Sequence, residues 1–322
     1  MEEAKNLITN SNITIHVVFA CDDKYAQHLS CAIASLLKNK GEEEVEIFIL
    51  TDYLSNKNID KINSLKTIAP CNINFIYINN ETLFKGEAPQ TVKHISISTY
   101  YRFLLQQLFP NTDKLIYLDS DLNILTSLTD LYNTDISEYY IAAVTDNSEK
   151  ECCKRLNLDI YCNAGVLLIN LKKFREDNIQ EKLFKYSKEN YHEIVYGDQD
   201  VLNVVCKGKI LQLDKKWNAQ ICKSLKDNED WVTTAKQAHI IHYISGLKPW
   251  KRKYGLPYKS IYLEYLKLTP WKNKVYLYKI YSLLYKLYAI RKSIISIKWE
   301  KDKKIIKLFN RMIINKCEDK ND

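Results

Sequence analysis

Apolar positions along this chain fall into two alternating patterns. Short runs rich in β-branched and aromatic residues recur at 13–20 (ITIHVVFA), 45–50 (VEIFIL), 73–78 (INFIYI), 114–118 (KLIYL), 140–144 (YIAAV), 165–170 (GVLLIN) and 239–243 (HIIHY). Such runs predict strands. Several are apolar at nearly every position, as expected of strands covered on both faces. Between them the apolar residues return at helical spacing. In 25–39, Leu29, Ile33, Leu36 and Leu37 share one face, and 55–68, 98–109, 172–187 and 199–206 read the same way. The alternation predicts an α/β domain, a mostly parallel sheet flanked by helices.

The pattern changes near the end. From Trp271 onward, Leu277, Ile280, Leu284 and Leu287 keep helical spacing, with Lys279, Lys286, Arg291, Lys292 and Lys298 riding among tyrosines. This segment carries 14 Lys+Arg against 5 Asp+Glu. The formal net charge of the whole chain is +8, so the body before it is nearly neutral. The predicted division is a catalytic-sized domain at 1–268 and a basic amphipathic helical tail at 269–322. A basic helix with interfacial aromatics suits an anionic bilayer. Packing on the body or on a second copy is the alternative. Nucleic acid also attracts basic stretches, but no nucleic-acid-binding motif accompanies this one, so no nucleic-acid partner is expected.

Composition narrows the class only a little. The 322 residues are 46% apolar and 27% charged, as in ordinary globular proteins. Nine cysteines, an odd number without regular spacing, make neither a disulfide framework nor a zinc ribbon. The opening MEEAKNLITN has no basic and apolar leader pattern, and no apolar run reaches about 18 residues. The expected location is cytoplasmic, with the tail able to reach the inner face of the cytoplasmic membrane.

Candidate chemistry begins where KLIYL runs into DSD. In doubly wound sheets ligands bind beyond the carboxyl ends of strands. Asp119 and Asp121, two apart in an extended segment, point to one side. Two close carboxylates repel, and a hard divalent cation would offset both. A solvated turn is the plainer reading of the same D-x-D. In HIIHYISGLKPW, a neutral His242 can complete a carboxylate metal site and Lys248 can neutralise a phosphate. A core histidine and a solvated lysine are the plainer readings there. In YCNAGVLLIN, Asn163 offers both donors and acceptors to hydroxyls, and Gly165 permits close approach. In YGDQDVLN, Asp198, Gln199 and Asp200 stand at a helix start, where one aspartate is expected to act as a cap.

These four stretches occur in order, with VVFACDDKYAQHLSCAIASL (17–36) and HISISTYYRFLL (94–105) before them. Together they resemble glycosyltransferase family 8, which includes glycogenin and the galactosyl- and glucosyltransferases of lipopolysaccharide outer core. The resemblance spans about Ile15 to Trp250. It implies a GT-A fold, a UDP-hexose donor, manganese (or magnesium), and transfer with retention to a saccharide or lipid-linked saccharide acceptor. It implies that Asp119, Asp121 and His242 hold the metal. Asp22, Arg102, Asn163, Ser120, Gly246 and Lys248 would join them in binding the donor. Asp198 and Gln199 would flank the reacting sugar, and His94 and Asp146 would lie toward the acceptor. Two positions depart from the family pattern. Lys24 stands where related bacterial enzymes often carry asparagine near the uridine, and Ser245 where the family usually has glycine. A nucleotide-sugar-binding protein without transfer is therefore the alternative function. A metal-dependent phosphotransferase or nuclease would leave Asn163 and Gln199 unused.

Overall fold

The structure, a computed structural model, describes residues 13–79, 97–221, 236–244, 246, 248–251, 258–300, 303–308 and 311–314. The first half contains β1 (Thr14–Ala20), α1 (Ala26–Asn39), β2 (Glu44–Thr51), α2 (Asn56–Asn63) and β3 (Asn72–Tyr77). A 3-10 helix (Ile97–Leu104) then leads through the single turn α3 (Leu105–Leu108) to β4 (Lys114–Leu118) and β5 (Leu122–Ile124). Next come α4 (Thr129–Tyr132), β6 (Ile141–Thr145), α5 (Glu149–Leu156) and β7 (Cys162–Asn170). They are followed by α6 (Leu171–Glu176), α7 (Ile179–Glu189), α8 (Asp198–Val205), β8 (Ile210–Gln212), β9 (Ala219–Gln220) and β10 (Ile240–His242). Two further helices, α9 (Lys259–Lys267) and α10 (Lys274–Ile294), close the body.

The main sheet has seven strands in the order β3-β2-β1-β4-β7-β6-β8. The β1–β2, β2–β3, β1–β4 and β6–β8 pairs are parallel, whereas β7 runs antiparallel to both β4 and β6. Every residue of β7 is buried, as its unbroken apolar run requires. Apolar side chains form separate clusters on the two sheet faces. One joins α1 to β1, β2 and α9 around Ile33 and Leu36, and the other joins β7 to the 3-10 segment, α7 and α8. Burying each such side chain contributes roughly 1.5–3 kcal/mol.

A second small sheet, β5-β10-β9, builds the site. It pairs β5 with β10 antiparallel, setting Leu122 opposite His242. Residues 120 positions apart in sequence thereby become neighbours beside Asp121. Helix α1 fixes this sheet through Ser35, whose Oγ accepts from the Ile124 N–H at 2.9 Å and donates to the Ala32 carbonyl.

Several expected elements take another form. The 98–109 helix is wound mostly as 3-10. Its residues Tyr100–Leu104 are all buried, so packing on several sides at once governs the segment rather than one amphipathic face. The 55–68 helix likewise ends in a 3-10 turn at Ser64–Thr67. The 172–187 helix is split by Asn178, at φ 50°, a left-handed position that asparagine tolerates. The tail is helical only to Ile294. Three antiparallel strands follow, β11 (Ile295–Glu300), β12 (Lys303–Leu308) and β13 (Arg311–Ile314). Here the helical spacing gives way to isoleucine-rich alternation, which favours strand.

Ser35→Ala should leave the buried Ile124 N–H without its acceptor. The expected cost is about 1–3 kcal/mol, read as a lower urea midpoint at unchanged slope.

Candidate active site

The D-x-D turn follows β4 where that strand lies against β1 and β7. The Asp119 N–H donates to the Gly165 carbonyl at 2.8 Å, pinning the turn to β7. The Ser120 hydroxyl donates to the Ala20 carbonyl at 2.7 Å, pinning it to the end of β1. The Tyr243 N–H donates to the Asp121 carbonyl at 3.0 Å, pinning it to the strand that carries His242. These bonds leave both carboxylates facing one point. One ligand atom each from Asp119, Asp121 and His242 lie within 4.8 Å of one another.

Gly165 explains why this cluster can close. A Cβ there would lie 2.1 Å from His242 Cε1 and 2.8 Å from Asp119 Oδ2, so the histidine occupies the space that a side chain would fill. The imidazole orientation is also fixed. His242 Nδ1 lies 3.1 Å from Asn218 Oδ1, while the Asn218 Nδ2 donates to Asn163 Oδ1 at 2.9 Å. With the amide so oriented, Nδ1–H donates to Asn218, and Nε2 is turned toward the acids, 3.1 Å from Asp121 Oδ1, the side from which it would ligate a cation. Two carboxylates and one imidazole nitrogen, oriented from behind, fit a hard divalent cation such as manganese or magnesium.

Fixed positive charge surrounds the acids. Lys248 is buried and its ammonium bonds Asp121 and the Tyr243 carbonyl. Burial would raise the Asp121 carboxyl, but Lys248 and His242 outweigh it and hold the group far below the usual range. Arg102 is buried over the Tyr117 ring, 4.3 Å from its centroid. Its guanidinium donates to Asp119 at 2.9 Å and to the Thr99 and Ala164 carbonyls, and its Nε forms an ion pair with Asp198 Oδ2 at 3.0 Å. Burial pushes the Asp198 carboxyl up to about 6, against the opposing pull of Arg102.

The remaining predicted residues form one amide wall. Asn163 Nδ2 donates to Asp146 Oδ2 at 2.8 Å and to Gln199 Oε1 at 3.2 Å. Gln199 Oε1 also accepts from the Ala164 N–H, and its Nε2 donates to Tyr161 at 3.1 Å and Asp146 at 3.3 Å. The expected aspartate cap is not formed. Gly197, at φ 60°, occupies the cap position of α8 with no side-chain bond, because both aspartates have stronger partners. Asp198 is drawn to Arg102. Asp200 accepts from Arg155, Tyr161 and the backbone N–H groups of Val195 and Tyr196.

Two cavities bear on the site, and the second of them meets this wall at Asp146 and Asn218. One of about 700 Å³ is lined by Asp22, Tyr25, Asp119, Ser120, Asp121, Gly246 and Lys248, among others. The second, about 580 Å³, is lined by Asp146, Ser148, Glu149, Lys215, Asn218 and Gln220 with their neighbours. Lys24 is an exposed turn residue beside Asp22. His94 and Ser245 lie outside the described residues. Sequence reasoning missed Asn218, Tyr161 and the anchoring part played by Asp200. An isolated asparagine or tyrosine carries no spacing signal.

Residues 16–254 match glycosyl transferase family 8, and the chain belongs to that family. Lipopolysaccharide 1,3-galactosyltransferase of Salmonella typhimurium is 26% identical over 270 residues, covering 80% of this chain and 79% of the relative. General stress protein A of Bacillus subtilis is 29% identical over 275 residues, covering 80% and 95%. Among solved structures, galactosyltransferase LgtC in complex with donor and acceptor sugar analogs superposes with a TM-score of 0.68 at 28% identity, covering 80% of this chain and 96% of that one. The fold is therefore GT-A and the protein is a glycosyltransferase.

Gly165→Ala should push His242 out of the cluster. We expect transfer activity and divalent-metal affinity to fall together by about 10–100-fold, measured by turnover and by manganese titration.

Proposed function

We propose that the chain is a retaining, metal-dependent hexosyltransferase that moves galactose or glucose from a UDP-sugar to a saccharide or lipid-linked saccharide acceptor in cell-surface glycan synthesis. The observation that carries this reading is the convergence of Asp119, Asp121 and His242 beside Lys248 at one cavity. The sugar class follows the relatives, which include the Salmonella galactosyltransferase and a lipopolysaccharide 1,2-glucosyltransferase of Escherichia coli.

In this reading the larger cavity takes the nucleotide diphosphate, with Asp22 toward the base. The carboxylates and His242 hold manganese, or magnesium in its place, which when bound supplies Lewis-acid charge to the departing diphosphate. Lys248 and Arg102 supply fixed positive charge where the leaving group becomes more negative. Arg102 also holds Asp198 beside Asp119, so the start of α8 is registered on the metal-binding turn.

Retention follows from same-face attack. The C1–O bond to phosphate breaks and the acceptor oxygen bonds C1 on the face that UDP leaves. The acceptor proton passes to the departing phosphate oxygen. Gln199 orients rather than attacks, because its amide oxygen already accepts two hydrogen bonds and a neutral amide is a weak nucleophile. Asp146 lines the smaller cavity and accepts from Asn163, and in this reading the acceptor would enter there. A sugar adduct on the protein, trapped and located by mass spectrometry, would overturn same-face attack.

The exposed face of α10 supports contact with a membrane surface. Leu277, Ile280, Leu284 and Leu287 are each about half exposed, beside exposed Tyr276, Tyr288, Lys279 and Arg291. No helix among the described residues is long and apolar enough to cross a membrane. The contact is therefore peripheral, at the inner face of the cytoplasmic membrane in this reading.

Slow UDP release from a panel of UDP-sugars needs no acceptor and tests the donor site directly. We expect release from one UDP-hexose with manganese, none with EDTA, and a loss of at least about 100-fold in Asp119→Ala and Asp121→Ala. Release unaffected by EDTA or by either substitution would remove the metal assignment, and binding without turnover would favour a lost transferase. In vesicle co-sedimentation, the full chain should bind anionic vesicles and release with salt. The double variant Leu284→Glu, Leu287→Glu should bind at least about tenfold more weakly.

A further inference from the structure

Lys248 is followed by Pro249 and Trp250. The proline ring fixes its own φ and restricts the residue before it, so the backbone placement of Lys248 is tied to that of Trp250. Trp250 does not stand free. Its indole stacks on the ring of His28, with centroids 3.5 Å apart and planes within 16°. Tyr25, which lines the larger cavity, meets both rings edge-on, 5.2 Å from His28 and 6.0 Å from Trp250.

The histidine is itself held from behind. The Tyr262 hydroxyl of α9 lies 2.8 Å from His28 Nδ1 and accepts from Gln27 Nε2 at 3.0 Å. The hydroxyl can donate its hydrogen to Nδ1 while its oxygen accepts from Gln27. Gln27 Nε2 also donates to Tyr278 of α10 at 3.0 Å. Burial lowers the His28 pKa to about 3, so the ring is neutral at physiological pH and keeps this acceptor nitrogen. No step of the transfer reaction uses His28.

We propose that His28 is a positioning residue for Lys248: its ring is the plate against which Trp250 seats, and that seat holds the Lys248 ammonium on Asp121 and the Tyr243 carbonyl. Lysine has a long stem with high rotamer entropy, so a backbone fixed at its base reduces what must be ordered when a diphosphate arrives. The inference rests on the donor-site reading above, because it concerns the same lysine.

The test is a double-mutant cycle on the full chain, with UDP and manganese as the probe and calorimetry as the readout. His28→Ala should weaken UDP binding about tenfold in the native background and less than about twofold in a Lys248→Ala background. His28→Phe keeps a plate and should restore binding to within about threefold of the native protein. Unchanged binding in His28→Ala, equal losses in both backgrounds, or no rescue by phenylalanine would each overturn the proposal. If His28→Ala does not melt cooperatively, Trp250→Leu takes its place in the cycle with the same expected and overturning results. Native protein that binds no UDP with manganese would overturn the donor reading and this inference with it. Native binding together with an uncoupled cycle overturns the inference alone.

Discussion

The site is organised around one buried cation. Arg102 donates to Asp119 on the D-x-D turn, forms an ion pair with Asp198 at the start of α8, and donates to the Thr99 and Ala164 carbonyls. Without that fork, two carboxylates would face each other across a strand end with little water to separate them. Each would be costly to keep ionised. A guanidinium suits the position better than an ammonium, because its planar donors reach several acceptors at once while its face lies on Tyr117. The Arg102 Nε also donates to the Thr99 carbonyl three residues earlier, which ties the side chain to its own 3-10 segment.

A second constraint is steric. The β5–β10 pairing brings His242 to the D-x-D, and the antiparallel β7 brings Gly165 beneath both. Asn218 then fixes which imidazole nitrogen faces the acids. Hydrogen bonds and shape thus define the cluster before any ligand is present. The acids are not left bare meanwhile. Lys248 and Arg102 occupy them, and an arriving cation and diphosphate would have to share those contacts.

Much of this was legible in the sequence where a residue's chemistry and its position agreed. The β-branched runs located the strands of the first sheet except β8, and Leu29, Ile33, Leu36 and Leu37 of α1 are buried as the spacing placed them, although that helix is buried on every side from Ala26 to Leu37. Asp119, Asp121 and His242 were readable as oxygen and nitrogen ligands near strand ends. The direction of β7 was not readable, because an unbroken apolar run is the same in parallel and antiparallel pairing. Strands of two or three residues, such as β5, β8 and β9, are too short to display a period. Asn218, Tyr161 and Asp200 act through partners far away in sequence, and single polar residues carry no trace of those partners. The strands after Ile294 were overlooked because the basic charge there read as a continuation of the helix, although the alternation of apolar residues had already changed.

The amide wall beside the smaller cavity bears on how a sugar could be received. Asn163, Gln199 and Asp146 satisfy one another, with Tyr161, Asn218 and the Ala164 N–H completing the set. A wall of saturated amides offers little to a sugar that cannot replace the bonds it breaks. A hexose can, since its hydroxyls both donate and accept. An apolar group of similar size would leave the amides unpaired, at a cost of about 1–3 kcal/mol for each buried polar atom. Recognition by exchange of hydrogen bonds is thus built into the wall. Asp200, fully buried, accepts from the Tyr161 hydroxyl at 2.6 Å and so anchors the wall's tyrosine from behind.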